Sequence, residues 1–199
     1  CFIRHQYFTL HDLSFLYFPE NHSVLFRLWY RFLIPIIVKR AKHIFTVSET
    51  VKEQIQHQYA IRTEKITVTL NGLSSAFQQP LVRNSIQKDK IILAVGTQSL
   101  RKNLSTLVNA YGSSPLQQTY RLVVIGKRFS IFREESHSSN ANILFIEDAD
   151  DATLLQWYRK AEVFVSLSLY EGFGIPVLEA LLAGCKVLCS DIAAYRELF

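Results

Sequence analysis

The chain has 199 residues, 49% of them apolar, with few glycines and prolines. That is enough for one large or two small packed domains, and it leaves out disordered and fibrous classes. The formal charge of +5 suits an anionic nucleotide or an anionic membrane surface, but the Lys and Arg residues are too dispersed for a nucleic-acid footprint.

Cys1, Cys185 and Cys189 are odd in number and unpatterned, so packing in a reducing cytosol is expected of them rather than disulfide or metal duty. There is no methionine, and the chain opens on Cys1 and stops at Phe199; it reads as a fragment. No signal-peptide pattern is visible. The most hydrophobic stretch, Val24 to Val38, contains Arg27 and Arg31 and makes a poor transmembrane candidate.

Phe8 to Leu10 reads as the end of a strand, with His11 and Asp12 at its C-terminal edge, where ligands bind in open α/β sheets. Asp12 serves equally as a turn former, and a lone His is more often structural than catalytic. Leu25, Leu28, Trp29, Phe32 and Ile36 recur at helical spacing, giving an amphipathic helix kinked near Pro35. Arg27, Arg31, Lys39, Arg40 and Lys42 decorate it. An ordinary core-packed helix with solvated charges is expected; the alternative is a peripheral helix, over residues 24–42, lying on an anionic bilayer.

Ile44 to Val47 is a short strand, and Ser48 begins a helix with Thr50 and Glu53 at capping-box spacing. Lys65 to Leu70 is a strand ending in Asn71-Gly72. The polar run from Ser74 to Lys88, with Pro80, is read as a linker, so residues 1–80 and 81–199 are expected to form two incomplete domains. Lys90 to Gly96 is a buried-type strand, followed by the loop Thr97 to Lys102, an N-cap at Asn103, and a helix face of Leu104, Leu107, Val108 and Tyr111. Arg101 and Lys102 therefore stand beside a helix start, where cations and amides together would hold a diphosphate. Strands at Arg121 to Gly126 and Asn142 to Ile146 follow, and then a helix from Ala152 to Lys160. This alternation argues for parallel sheets with right-handed crossovers.

The most informative stretch is Val163 to Ser190. An apolar β-branched run ends at Ser168, a turn with Gly172 and Gly174 follows, and Pro176 sits where a helix should begin. Glycines let backbone approach a ligand, and helix N-terminal amides bind anions. Glu171 precedes the loop and Glu179 lies in the first helical turn, so a diphosphate held there would have an acid near each end.

Glu171-Gly-Phe-Gly-Ile-Pro-Val-Leu-Glu179 closely resembles the Glu-x7-Glu signature of retaining glycosyltransferases with the GT-B fold (glycosyl transferases group 1, family 4-like). The pieces Thr9 to Phe15, Ala41 to Glu49 and Val68 to Gly72 are similar to that family's N-terminal domain. Val95-Gly-Thr-x3-Arg-Lys-Asn103 is similar to its donor-phosphate loop, except that many members carry an Arg directly after the glycine, where Thr97 stands here. The resemblance implies an α/β fold of two Rossmann-like parallel-sheet domains, and retaining transfer from a nucleotide-diphosphate sugar, GDP-mannose first, to a glycan or lipid-linked acceptor. Cell-surface polysaccharide synthesis, in the cytoplasm or at the inner face of the membrane, is the implied setting.

By the same resemblance, Lys102 with Arg101 would neutralise the leaving diphosphate, and amides from Gly172 through Phe173 and Gly174 to Ile175 would bind its phosphates. Glu179 would take the ribose diol, Glu171 would sit by the sugar, and His11 would contact donor sugar or phosphate from the other domain. Same-face attack is implied, with the leaving phosphate assisting deprotonation. No cofactor or metal is expected, because basic groups and amides do the neutralising and no Asp-x-Asp pair falls on a plausible loop. The alternatives are a nucleotide-sugar 2-epimerase and a non-catalytic, truncated or split donor-binding module.

Overall fold

The computed structural model describes residues 6–77, 87–97, 99–127 and 142–199. They divide into two compact units: 1–72 with Tyr170–Gly174 and Asp191–Phe199, and 73–169 with 175–190. The expected boundary near residue 80 lies outside the described residues, as do Cys1 and most of the proposed linker.

The first unit is a three-stranded sheet of β1 (Tyr7–Thr9), β2 (His43–Thr46) and β3 (Ile66–Val68), in that order and all parallel. Its helices are α1 (Ser14–Tyr17), α2 (Val24–Arg40), α3 (Glu49–Tyr59) and α7 (Ala193–Leu198). The strands begin and end close to where alternation places them. Ser48 caps α3 by accepting the Val51 amide, satisfying one of the orphan donors of a helix start. Thr50 does not act as the capping residue; its amide and hydroxyl both bond Glu197.

α2 corrects an expectation. Leu25, Leu28, Trp29 and Phe32 are 78, 64, 60 and 67% exposed, so the face read as core-packed is turned to solvent. The helix carries apolar residues on both sides, with its basic residues scattered among them, so periodicity alone cannot tell the inner side from the outer one. The inner side is the opposite one: Ile34 and Val38 are buried, and Tyr30 meets Phe15 of α1 edge-on at 5.4 Å.

The second unit is a five-stranded parallel sheet in the order β6-β5-β4-β7-β8, made of β4 (Asp89–Val95), β5 (Arg121–Ile125), β6 (Ile143–Ile146), β7 (Ala161–Ser166) and β8 (Lys186–Cys189). Leu93, Ala94, Leu122 and Val123 in the central strands are fully buried, which is why those strands read as unbroken apolar runs rather than alternating ones. α4 (Leu104–Gly112) covers the sheet with Leu104, Leu107 and Tyr111, against Ile92, Leu122 and Val165. α5 (Asp151–Lys160) and α6 (Ile175–Leu182) complete the unit. Cys185 is buried, its thiol bonded to the carbonyl of Tyr158 at 3.0 Å, so it is a packing residue as expected.

Candidate functional site

In the first unit His11 stands two residues after β1 and is exposed at the C-terminal edge of the sheet. Asp12 is the turn former: its Oδ1 accepts the amide of Ser14 at 2.9 Å. Against this edge lies the segment Tyr170–Gly174, in which Glu171 and Phe173 are each only 8% exposed. Gly172 is the point of contact. A Cβ there would sit 2.5 Å from the carbonyl oxygen of His11, so only glycine permits the approach. Ser48 donates to the Gly172 carbonyl at 2.6 Å, and the Tyr170 hydroxyl accepts the amide of Leu13 at 3.0 Å. Gly174 has φ +104 and faces the ring of Tyr195 on α7, 2.8 Å from where a Cβ would be. Both loop glycines thus have a backbone reason, and His11 and Glu171 belong to segments in direct contact.

Beside His11 lies a cavity of about 430 Å³, walled by Phe15, Phe26, Trp29 and Tyr30 with His22 at its margin. Nothing in the spacing of these residues announced it, because its walls come from β1, α1 and α2, which are separated in the chain.

In the second unit Arg101 and Lys102 close a 3-10 turn, Leu100–Lys102, ahead of α4. Gly96, at the end of β4, has φ +146, and a Cβ on it would be 3.1 Å from Cε of Lys102. The lysine stem therefore runs over the missing side chain, back across the strand end. The carbonyl of Arg101 accepts the amide of Leu169 at 2.8 Å, which ties this turn to the stretch that leaves β7. Asn103 stands at the N-cap position as expected, but in the left-handed region at φ +52 and without a side-chain cap; its Oδ1 takes the hydroxyl of Thr106.

Glu179 is the fifth residue of α6 rather than part of its first turn, and it is 8% exposed. Its Oε2 accepts the hydroxyl of Tyr158 at 3.0 Å. Tyr158 is fully buried, with its ring against Phe77 and Phe164. Burial pushes the Glu179 carboxyl above its ordinary value; the Tyr158 bond opposes this and Asp151 adds to it. Tyr158 escaped the sequence reading because an aromatic on an amphipathic helix gives no sign of the acid it will meet.

Among the described residues no group of three or more His, Cys, Asp or Glu is placed to hold a metal ion. Of the two acids in Asp148-Ala149-Asp150 after β6, Asp150 caps α5 by accepting the amide of Thr153 at 2.8 Å.

Two parallel α/β units, with a glycine turn joining strand to helix and an acid buried one turn into that helix, define the GT-B class of transferase fold. Residues 78–199 match the family model for glycosyl transferases group 1 and residues 4–77 that for glycosyltransferase family 4; the chain belongs to the group 1 glycosyltransferases. It is 32% identical over 205 residues to an O-antigen chain mannosyltransferase, RfbU, of Salmonella typhimurium, covering 98% of this chain and 54% of that one. It is 28% identical over 185 residues to the GDP-mannose:cellobiosyl-diphosphopolyprenol alpha-mannosyltransferase of Komagataeibacter xylinus, covering 86% of this chain and 44% of the relative. In fold it is similar to the Anabaena protein Alr3699/HepE, solved with UDP and glucose, at a TM-score of 0.72 and 18% identity over 98% of this chain and 55% of that chain. The chain thus spans about half the length of the curated relatives it matches.

Proposed function

We propose that the chain is the part of a retaining glycosyltransferase that takes a sugar from a nucleotide diphosphate and passes it to a glycan or lipid-linked acceptor in cell-surface polysaccharide synthesis. The observation that carries this is the Glu171–Gly174 loop seated on the carbonyl of His11, which joins an acid, glycine amides and an imidazole-bearing strand end. GDP-mannose is the favoured donor. The support for it is similarity to two mannosyltransferases, one of which has that nucleotide in its name.

In this reading Lys102, with Arg101, offsets the charge that builds on the leaving diphosphate, the electrostatic contribution that usually dominates such catalysis. The amides of Gly172 to Ile175 bind the same group, so the positive charge comes from the protein without a metal ion. Glu179 keeps acceptor capacity beyond its bond to Tyr158, since an ionised carboxylate has about four lone-pair sites, and it takes the ribose diol. Glu171 binds sugar hydroxyls and His11 the sugar or phosphate. The acceptor hydroxyl attacks the face the phosphate leaves, giving its proton to that phosphate, so Glu171 forms no covalent bond. The aromatic cavity beside His11 serves the acceptor side.

The peripheral membrane contact belongs to the same proposal. The outward face of α2 carries Leu25, Leu28, Trp29 and Phe32, with Arg31 and Lys39 exposed and no acid anywhere in the helix. That composition suits an interfacial helix on anionic lipid. No helix among the described residues is long and apolar enough to cross a membrane.

The deciding experiment is a thermal-shift panel of GDP-, UDP- and ADP-sugars on the wild type and on Glu179→Ala. A ligand at a hundred times its Kd should stabilise by about 2.7 kcal/mol. One nucleotide is expected to stabilise the wild type and spare the variant. Equal stabilisation of both removes Glu179 from its role, and no response to any of the three removes GDP-mannose and the other two as donors.

A further inference from the structure

Tyr170 stands one residue before Glu171, and the proposed chemistry makes no use of it. Its ring packs near Tyr17 and Phe18, with centroids 5.3 and 6.1 Å away, and a phenylalanine would pack there as well. The hydroxyl is what needs explaining. It accepts the amide of Leu13 at 3.0 Å and donates to Oε1 of Gln54 at 2.9 Å, both roles a phenol can fill at once. Leu13 is fully buried and lies two residues beyond His11; Gln54 is in the middle of α3.

The same loop has two further attachments. Ser48, at the start of α3, donates to the Gly172 carbonyl while its oxygen also accepts the Val51 amide. Gly172 itself rests on the His11 carbonyl, where a Cβ would be 2.5 Å away. Three bonds and one close approach thus tie five consecutive residues to the end of β1 and to α3, all within the first unit. Nothing in this network requires the side chains proposed to grip the nucleotide, Lys102 and Glu179, which belong to the second unit.

We propose that Tyr170 is a positioning residue: its hydroxyl locks the Glu171–Gly174 loop onto the His11–Leu13 segment after β1, so that Glu171 is set for the transfer step. The proposal rests on the reading that Glu171 and His11 meet the donor sugar. A displacement of the order of 1 Å at such a group costs about 100-fold in rate.

Tyr170→Phe tests it, because the ring stays and only the hydroxyl goes. Amide hydrogen exchange of Leu13 and of residues 170–174 should speed up by about tenfold, the effect of one lost hydrogen bond on local opening, with the five-stranded sheet unchanged. At saturating donor the transfer rate should fall on the order of 100-fold, further than the affinity for the nucleotide diphosphate falls, because Lys102 and Glu179 belong to the second unit and keep their places when the loop amides shift. Gln54→Glu, which keeps an acceptor for the phenol, should restore what Gln54→Leu loses. Unaltered exchange at Leu13 overturns the lock. A nucleotide affinity that falls as far as transfer does, or transfer at the wild-type rate, overturns its positioning role. If the wild type transfers no sugar at all, the reading of Glu171 and His11 fails instead, and the exchange measurement still decides whether the hydroxyl holds the loop.

Discussion

Glu179 is a buried acid bonded by one phenol, and burial makes its ionised form less favourable. Burial is the larger effect and raises its pKa above the ordinary 4.5, against the pull of Tyr158. An acid raised by folding holds its proton more tightly in the folded state. The folded form is therefore favoured below 4.5, and that advantage is lost as pH rises through the unfolded value towards the raised one. Glu179→Gln removes the ionisation but keeps an oxygen for Tyr158. Its melting temperature should equal the wild type's in acid and rise above it as pH passes 4.5, while nucleotide binding weakens. A melting difference that stays constant with pH would mean that Glu179 ionises as easily folded as unfolded. The acid was legible in the sequence from its spacing to Glu171. Its burial was not, because the residue that buries and bonds it sits 21 positions away on a helix whose pattern announces only an apolar face.

At the scale of elements, the start of α3 shows how a correct boundary can conceal the wrong partner. Ser48 marks the helix start in sequence and caps it in the structure. The amides of Glu49 and Thr50 are satisfied by Glu197 of α7, at 2.7 and 3.0 Å, where the sequence suggested a local pairing of Thr50 with Glu53. Burial pushes the Glu197 carboxyl up, but the bonds from Thr50 and Glu49 together outweigh it and leave it below its ordinary value. A lowered acid stabilises the fold above its unfolded pKa, and the gain disappears as pH falls through the folded one. Glu197→Ala should therefore lower stability in urea by about 0.5–1 kcal/mol at neutral pH, the low end of cap losses because the group is exposed. In acid the two proteins should unfold together; an equal loss at both pH values would assign the effect to packing of α7 instead.

For the molecule as a whole, the decisive surface is the outer face of α2. In the proposed membrane docking Leu28, Trp29 and Phe32, all exposed, would leave water for the bilayer interface, and the basic residues along the helix would favour anionic lipid. Sedimentation with vesicles containing phosphatidylglycerol should retain the protein, with retention falling as salt rises. Vesicles of phosphatidylcholine alone should retain little. Trp29→Ser should weaken binding by at least about tenfold, the worth of one large buried side chain. Equal retention by both vesicle types, or by the variant, would refute membrane docking by this face.

Much of this protein follows from its residues in order. The alternation of apolar runs with helical periods gave the parallel α/β series, since crossovers of that length permit little else. The glycines and acids between Glu171 and Glu179 marked the loop, because tight turns and close backbone approaches admit few other residues. Three things were decided only by tertiary structure: the return of Tyr170–Gly174 and Asp191–Phe199 to the first unit, the pairing of Tyr158 with Glu179, and the side of α2 that faces outward. Each depends on which distant surface covers a given face. Local pattern can show that a face is apolar or a carboxylate present, but what lies against it is set by packing between segments far apart in the chain.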